Sequence, residues 1–209
     1  MSERAALAAT DPVMAALIER IGEIDLATRL ERRSEERPGD AYGALLRAIV
    51  GQQLSTKAAR TIYLRVLDLF DGGTPSPEQL LEADEKALRG AGLSGRKVEY
   101  LRDLAAHVIS GELELERLDE LSDTEAIEEI VAVRGLGQWT AEMFLLFHLE
   151  RPDVISGGDL GIRKAIQIEY ELDEMPTPQE VVEMSEPWRP HRSLASLYLW
   201  ESLAAVPGG

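Results

Sequence analysis

Cysteine is absent from all 209 residues. That excludes disulfides, thiolate zinc sites and cysteine-ligated iron–sulfur clusters, and it suits a reducing compartment. No apolar run reaches the 18 residues a spanning helix needs, and the alanine-rich start around Glu3 and Arg4 lacks the pattern of a signal peptide. A cytoplasmic protein with no membrane partner is the expectation. Aromatic residues make up 5% of the chain and include three tryptophans, so each large ring is worth locating. Bases are scarce: 22 Lys and Arg face 38 Asp and Glu, a formal net charge of −16. Taken alone, that argues against a polyanionic partner, because phosphate binding favours basic surfaces.

The distribution of charge weakens that argument. Residues 111–130 carry nine acids against the single base Arg117, and residues 169–186 carry seven acids and no base. These two segments hold nearly the whole deficit, so the rest of the chain is close to neutral. They read as solvated helical faces that keep the protein soluble, with a partner interface as the alternative.

With 44% hydrophobic residues the chain is long enough for a substantial core. Apolar residues recur at spacings of three and four with no sustained alternation, which predicts an all-α protein of roughly ten helices. Asp11 and Pro12 are start signals for a helix in "DPVMAALIERIGEI", which "RRSEERPGDA" then interrupts. Two helices follow in "AYGALLRAIVGQQ" and "STKAARTIYLRVLDLF", the second capped by Ser55. A helix, a glycine-rich turn and a helix are expected in "EADEKALRGAGLSGRKVEYLRDLAAHVIS". Helices are also expected in "DTEAIEEIVAV", "WTAEMFLLFHL", "IRKAIQIEYEL", "PTPQEVVEMSE" and "RSLASLYLWESLAA".

Two stretches carry candidate chemistry. In "VRGLGQWTAE", residues 133–142, a glycine-containing turn joins two helices. Gly135 and Gly137 permit backbone angles that a side chain disfavours, so their N–H groups can face outward at the positive end of a helix. Such a nest binds phosphate without lysine, with Thr140 adding a hydroxyl nearby. An ordinary turn, with Thr140 as a cap, fits the same residues. In "PDVISGGDLGIRKAI", Asp159 stands directly before a helix. An isolated Asp there is usually a cap, but the partial positive charge of a helix start also suits a working carboxylate.

The run "VRGLGQWTAEMFLLFHLERPDVISGGDLGIRKAI" resembles the signature of the helix-hairpin-helix/Gly-Pro-Asp DNA glycosylase superfamily, specifically the 3-methyladenine DNA glycosylase II type. "RAIVGQQLSTKAA", "DPVMAALIERIG" and "WRPHRSLASLYLW" are similar to further segments of that family, so the likeness spans residues 11–203 in order. The resemblance implies two helical lobes, approximately 34–151 (with the hairpin at 127–147) and 1–33 plus 152–209, with a cleft between them and the hairpin at their junction. It implies Asp159 as the catalytic carboxylate, and Trp139, Met143 and His191 around the base. It places Gln53, Leu54, Ser55, Gly135, Gly137 and Thr140 on DNA, with Gln53 and Leu54 filling and wedging the gap left by an extruded nucleotide. Which of those two is plug and which is wedge stays open. Backbone carbonyls of Val131, Val133 and Leu136 match positions that hold a monovalent cation, Na+ or K+, in the superfamily. Each residue also has a plainer reading: Trp139, Met143 and Leu54 as core, Gln53 as a polar helix end, His191 as a surface or capping residue. Trp188 and Trp200 are expected in the core.

Such an enzyme extrudes a nucleotide and hydrolyses its N-glycosidic bond while Asp159 stabilises the positive charge that builds on the sugar. Cationic alkylated purines suit an aromatic face such as Trp139. Related strand-cleaving enzymes have lysine where Trp139 stands, so release of the free base by simple hydrolysis, leaving an abasic site, is expected. Catalysis then requires no cofactor, and damaged double-stranded DNA bound by a monomer is the expected partner. The short stretch ahead of the helical core is expected to lack the α/β subdomain of the longest family members. Met143 and His191 stand where relatives often have aromatic residues, which leaves open a range shifted to deaminated or oxidised bases. A non-catalytic helix-hairpin-helix binding module is the remaining alternative.

Overall fold

The computed structural model describes residues 2–24 and 40–204. All regular structure among them is helical, with twelve α-helices, two short 3-10 turns and no strand. Most of the expected interruption at "RRSEERPGDA", and the expected lobe boundary at 33–34, lie outside the described residues.

The helices start where local side chains satisfy their first N–H groups. Helix α1, Glu3–Thr10, is not anticipated by the sequence pattern; the Ser2 hydroxyl accepts from the Ala5 N–H (3.2 Å), and Leu7 is its buried residue. Asp11 caps α2, Pro12–Ile21, accepting from the Val13 and Met14 N–H groups at 2.8 and 3.3 Å. Asp40 caps α3, Ala41–Gly51, and Ser55 caps α4, Thr56–Asp68. Ser76 opens α5, Pro77–Glu82, through a capping box with Gln79, and Asp84 opens α6, Glu85–Gly90. Ser94 caps α7, Gly95–Ser110, which ends at left-handed Gly111. A Ser122–Glu125 capping box starts α8, Asp123–Ala132, and α9, Gln138–Phe147, follows the hairpin turn. Asp159 caps α10, Leu160–Glu169. A Thr177–Glu180 box starts α11, Pro178–Met184, and α12 runs Arg192–Ala204.

The chain divides into two compact units, Met1–Arg32 with Leu145–Gly209, and Arg33–Phe144. In the first, α12 packs against α2 and α10 and is buried from Ser193 to Leu199, so its apolar surface has no single face. Trp188 is fully buried there and its indole N–H needs a partner. It donates to Asp11 Oδ2 at 2.8 Å, beside the Tyr170 hydroxyl at 2.5 Å. Burial opposes charge on Asp11, but the bonds from Trp188, Tyr170 and the helix N–H groups outweigh it and hold the carboxyl below its ordinary range. In the second unit α7 packs against α3, α5 and α6 through Val98, Leu101 and Leu104. Each such buried aliphatic side chain contributes about 1.5–3 kcal/mol.

Candidate active site

Asp159 is half-buried at the start of α10. Its Oδ1 accepts from the Ile162 N–H at 2.8 Å and from the Trp200 indole N–H at 2.9 Å. Trp200 is itself steadied by Phe147, whose ring stacks on it at 5.8 Å and 24°. A methyl at Gly161 would lie 3.0 Å from Asp159 Oδ1 and 3.1 Å from the Trp200 ring, so the absent side chain leaves room for this pairing.

The loop before Asp159 is stapled at both ends. Arg192, nearly buried, donates to Asp153 through Nε (2.8 Å) and Nη2 (3.1 Å), a forked pairing that satisfies an otherwise costly charge. Ser193 Oγ donates to the Arg151 carbonyl (2.6 Å) and accepts from the Val154 N–H (2.9 Å). Closer to Asp159, a β-carbon on Gly157 would meet the Pro178 carbonyl oxygen at 2.4 Å, so only glycine lets the loop approach the start of α11.

In the other unit, the hairpin joins α8 to α9. Leu136 N–H donates to Val133 O at 3.1 Å, closing the turn, and Gly135 takes φ 88°. Gly135 is doubly constrained, because a β-carbon there would lie 2.2 Å from the Tyr100 ring. Trp139 follows in the first turn of α9 and is 51% exposed. The α3–α4 turn carries Gln53, at φ 57° without being glycine, and Leu54, 37% exposed. This turn and the hairpin are joined directly: Gln52 Nε2 donates to the Gly135 carbonyl at 2.6 Å.

Residues 46–190 match the sequence model of the HhH-GPD superfamily of base excision DNA repair proteins. The chain belongs to this superfamily. It is 37% identical over 165 residues to DNA-3-methyladenine glycosylase 1 of Schizosaccharomyces pombe, covering 78% of this chain and 72% of that one. The solved structure of the 3-methyladenine DNA glycosylase of Schizosaccharomyces pombe, in complex with abasic DNA, superposes with a TM-score of 0.82 at 31% identity over 100% of both chains. The DNA-3-methyladenine glycosidase of Bacillus halodurans superposes with a TM-score of 0.85 at 37% identity, over 98% of this chain and 90% of that one.

Within this HhH-GPD chain the residues singled out from the sequence fall into distinct settings. Trp139 and Leu54 are exposed, so the plainer reading of both as core does not hold. Met143 is half-buried one turn beyond Trp139 on the same face of α9. Ser55 is exposed and caps α4, whereas Thr140 is buried. Gly137, which like Gly135 permits unusual backbone angles, does not adopt positive φ; a β-carbon there meets nothing within 4 Å, so the position is open rather than strained. His191 is half-buried at the start of α12, its N–H donating to the Trp188 carbonyl at 2.7 Å.

Trp188 lies in the core as expected; Trp200 packs against that core but is only half-buried, and its indole N–H turns to Asp159. A tryptophan within "RSLASLYLW" gives no hint of this, because the partner is 41 residues away and the helix is apolar nearly all round. Lys97 is a second residue whose role the sequence pattern does not signal. Its ammonium donates to the Val50 and Gln52 carbonyls at 2.7 and 2.8 Å, and burial lowers its pKa from the ordinary lysine value.

Proposed function

We infer that this chain is a DNA glycosylase that hydrolyses the N-glycosidic bond of alkylated bases of the 3-methyladenine kind in duplex DNA. The observation that carries the reading is Asp159: a carboxylate oriented by a helix N–H and an indole N–H, in a chain of the HhH-GPD superfamily. The names of the relatives supply the substrate class, since they are 3-methyladenine glycosylases at 31–37% identity. We assign it to type II on the "GQQLS" turn and the Trp139 position.

In this account the nucleotide leaves the stack at a cost of a few kcal/mol, with Gln53 and Leu54 occupying the gap. As the bond from C1′ to the base nitrogen lengthens, its electron pair goes to the base and positive charge gathers on the sugar. Asp159 opposes that charge, and the two hydrogen bonds on Oδ1 fix its orientation before reaction. Water then adds at C1′ and loses a proton, giving the free base and an abasic site. A base that is already cationic is a better leaving group, and exposed Trp139 offers it a ring face worth about 0.5–2 kcal/mol. Met143 and His191 are the further residues assigned to the base. Trp139 has no amine, so no Schiff base with the sugar forms there and the strand is left intact.

The hairpin N–H groups around Gly135 and Gly137, with exposed Ser55, hold phosphate, whereas burial takes Thr140 out of the phosphate-binding set expected from the sequence. The Val131, Val133 and Leu136 carbonyls suit a monovalent cation: they are neutral oxygen donors, and the Val133 carbonyl keeps one lone pair after accepting from Leu136. These carbonyls would hold the ion, which would supply positive charge at the hairpin for phosphate binding and no bond-breaking chemistry.

Duplexes carrying one alkylated, one deaminated or one oxidised base test the substrate class. Release of free 3-methyladenine-type base from the first, with the strand uncut and no borohydride-trapped protein–DNA adduct, is expected. Preferential release from either of the others, or a trapped adduct, overturns the reading.

A further inference from the structure

Gln53 and Leu54 sit in a turn whose shape is not explained by its own sequence. Gln53 adopts φ 57°, a conformation that a β-carbon disfavours and that persists only where surrounding bonds impose it. Those bonds converge on its neighbour Gln52. The Gln52 carbonyl accepts from Lys97 Nζ at 2.8 Å, together with the Val50 carbonyl at 2.7 Å, which ties down the end of α3. The Gln52 side chain donates to Gly135 O at 2.6 Å, and Leu54 N–H donates to Gly51 O at 3.2 Å.

Lys97 is the first of three residues on α7 that reach these elements at i, i+3 spacing, where helical side chains are neighbours. Tyr100 lies against Gly135 so closely that no β-carbon fits between them, and Asp103 Oδ2 accepts from the Arg134 N–H at 2.8 Å. One side of α7 therefore braces the α3–α4 turn at its start and the hairpin at two successive residues, while Gln52 joins the two across 83 positions of sequence.

We propose that Lys97, Tyr100 and Asp103 of α7, with Gln52, are positioning residues that fix the Gln53–Leu54 turn relative to the hairpin, so that the grip on the phosphate and the extrusion of the nucleotide act as one rigid unit. The proposal rests on the glycosylase reading above. A turn free to shift against the hairpin still binds DNA, but the wedge no longer meets the stack at a fixed distance from the held phosphate.

The test uses the full chain and two variants, Gln52→Ala and Lys97→Met. One assay follows 2-aminopurine fluorescence beside an abasic-site analogue as a report of local unstacking, and the other follows single-turnover base release. Both variants are expected to lower the fluorescence change and to slow release from a fully paired alkylated duplex by about tenfold. The same lesion placed opposite a gap, where little unstacking is needed, is expected to reduce the loss to about twofold or less. Adding Gln52→Ala to Leu54→Ala is expected to cost nothing further, because both act through the same wedge. Equal loss on both substrates, full additivity with Leu54→Ala, or unchanged release by Gln52→Ala overturns the proposal. If the wild-type chain releases no base from either duplex, the glycosylase reading fails instead, a result the variants are not needed to see.

Discussion

Two hydrogen-bond donors meet Asp159 Oδ1, and they separate capping from chemistry. The Ile162 N–H makes Asp159 a helix cap, as its place before "LGIRKAI" already indicates. The Trp200 N–H does something a cap does not need: it fixes the carboxylate from a second helix. Trp200→Phe keeps a ring against Phe147 but removes the donor, so kcat for base release is expected to fall roughly 10- to 150-fold with KM nearly unchanged, given about 1.5–3 kcal/mol for a hydrogen bond to a charged group. An unchanged kcat would show that the helix N–H alone suffices. The carboxylate is legible in the sequence because its glycine-rich approach and following helix are local. The indole is not, because nothing local marks that the tryptophan of a buried helix turns toward a partner.

At the scale of elements, the same division holds. Helix starts at Asp11–Pro12, Ser55 and Thr177–Pro178 are readable, since a cap and its N–H donors lie within three residues of each other. Helix α1 is not, because its short alanine-rich sequence buries only Leu7. The hairpin is readable as a turn, but the Tyr100 ring beneath it is not. Gly135→Ala is therefore expected to cost about 1–3 kcal/mol from overpacking and strained φ, and to weaken DNA binding as the hairpin shifts. Gly137→Ala, with open space around its position, is expected to leave thermal stability within about 1 kcal/mol of wild type. Equal stability losses in the two variants would contradict this contrast. Asp11 gives an element-level pH prediction. Its folded pKa lies below the unfolded one, so its stabilisation is complete above the unfolded value of about 3.9 and is lost as pH falls through the folded value. Denaturant titrations from pH 7 down to about 2.5 are expected to show a shallower acid loss for Asp11→Asn than for wild type.

For the whole molecule the question is how a chain of net charge −16 binds a polyanion. Part of the acid serves the fold. Glu125 and Glu180 complete capping boxes at the starts of α8 and α11, and Glu169 pairs with Arg20. On the proposed hairpin grip, in which backbone N–H groups hold phosphate with few cations, the salt dependence of duplex binding is expected to be weak. Between 50 and 200 mM salt, the slope of log K against log[salt] is expected at about −3 or shallower, and a slope near −6 or steeper contradicts hairpin-led binding. The central claim is that Asp159 performs the chemistry and does not merely cap α10, and single-turnover release of base from an alkylated duplex by Asp159→Asn tests it most directly. Asn retains the oxygen that accepts from Ile162 and Trp200, so the fold and the cap persist. Release is expected to fall at least about 100-fold with the thermal midpoint unchanged; release at the wild-type rate would contradict the account.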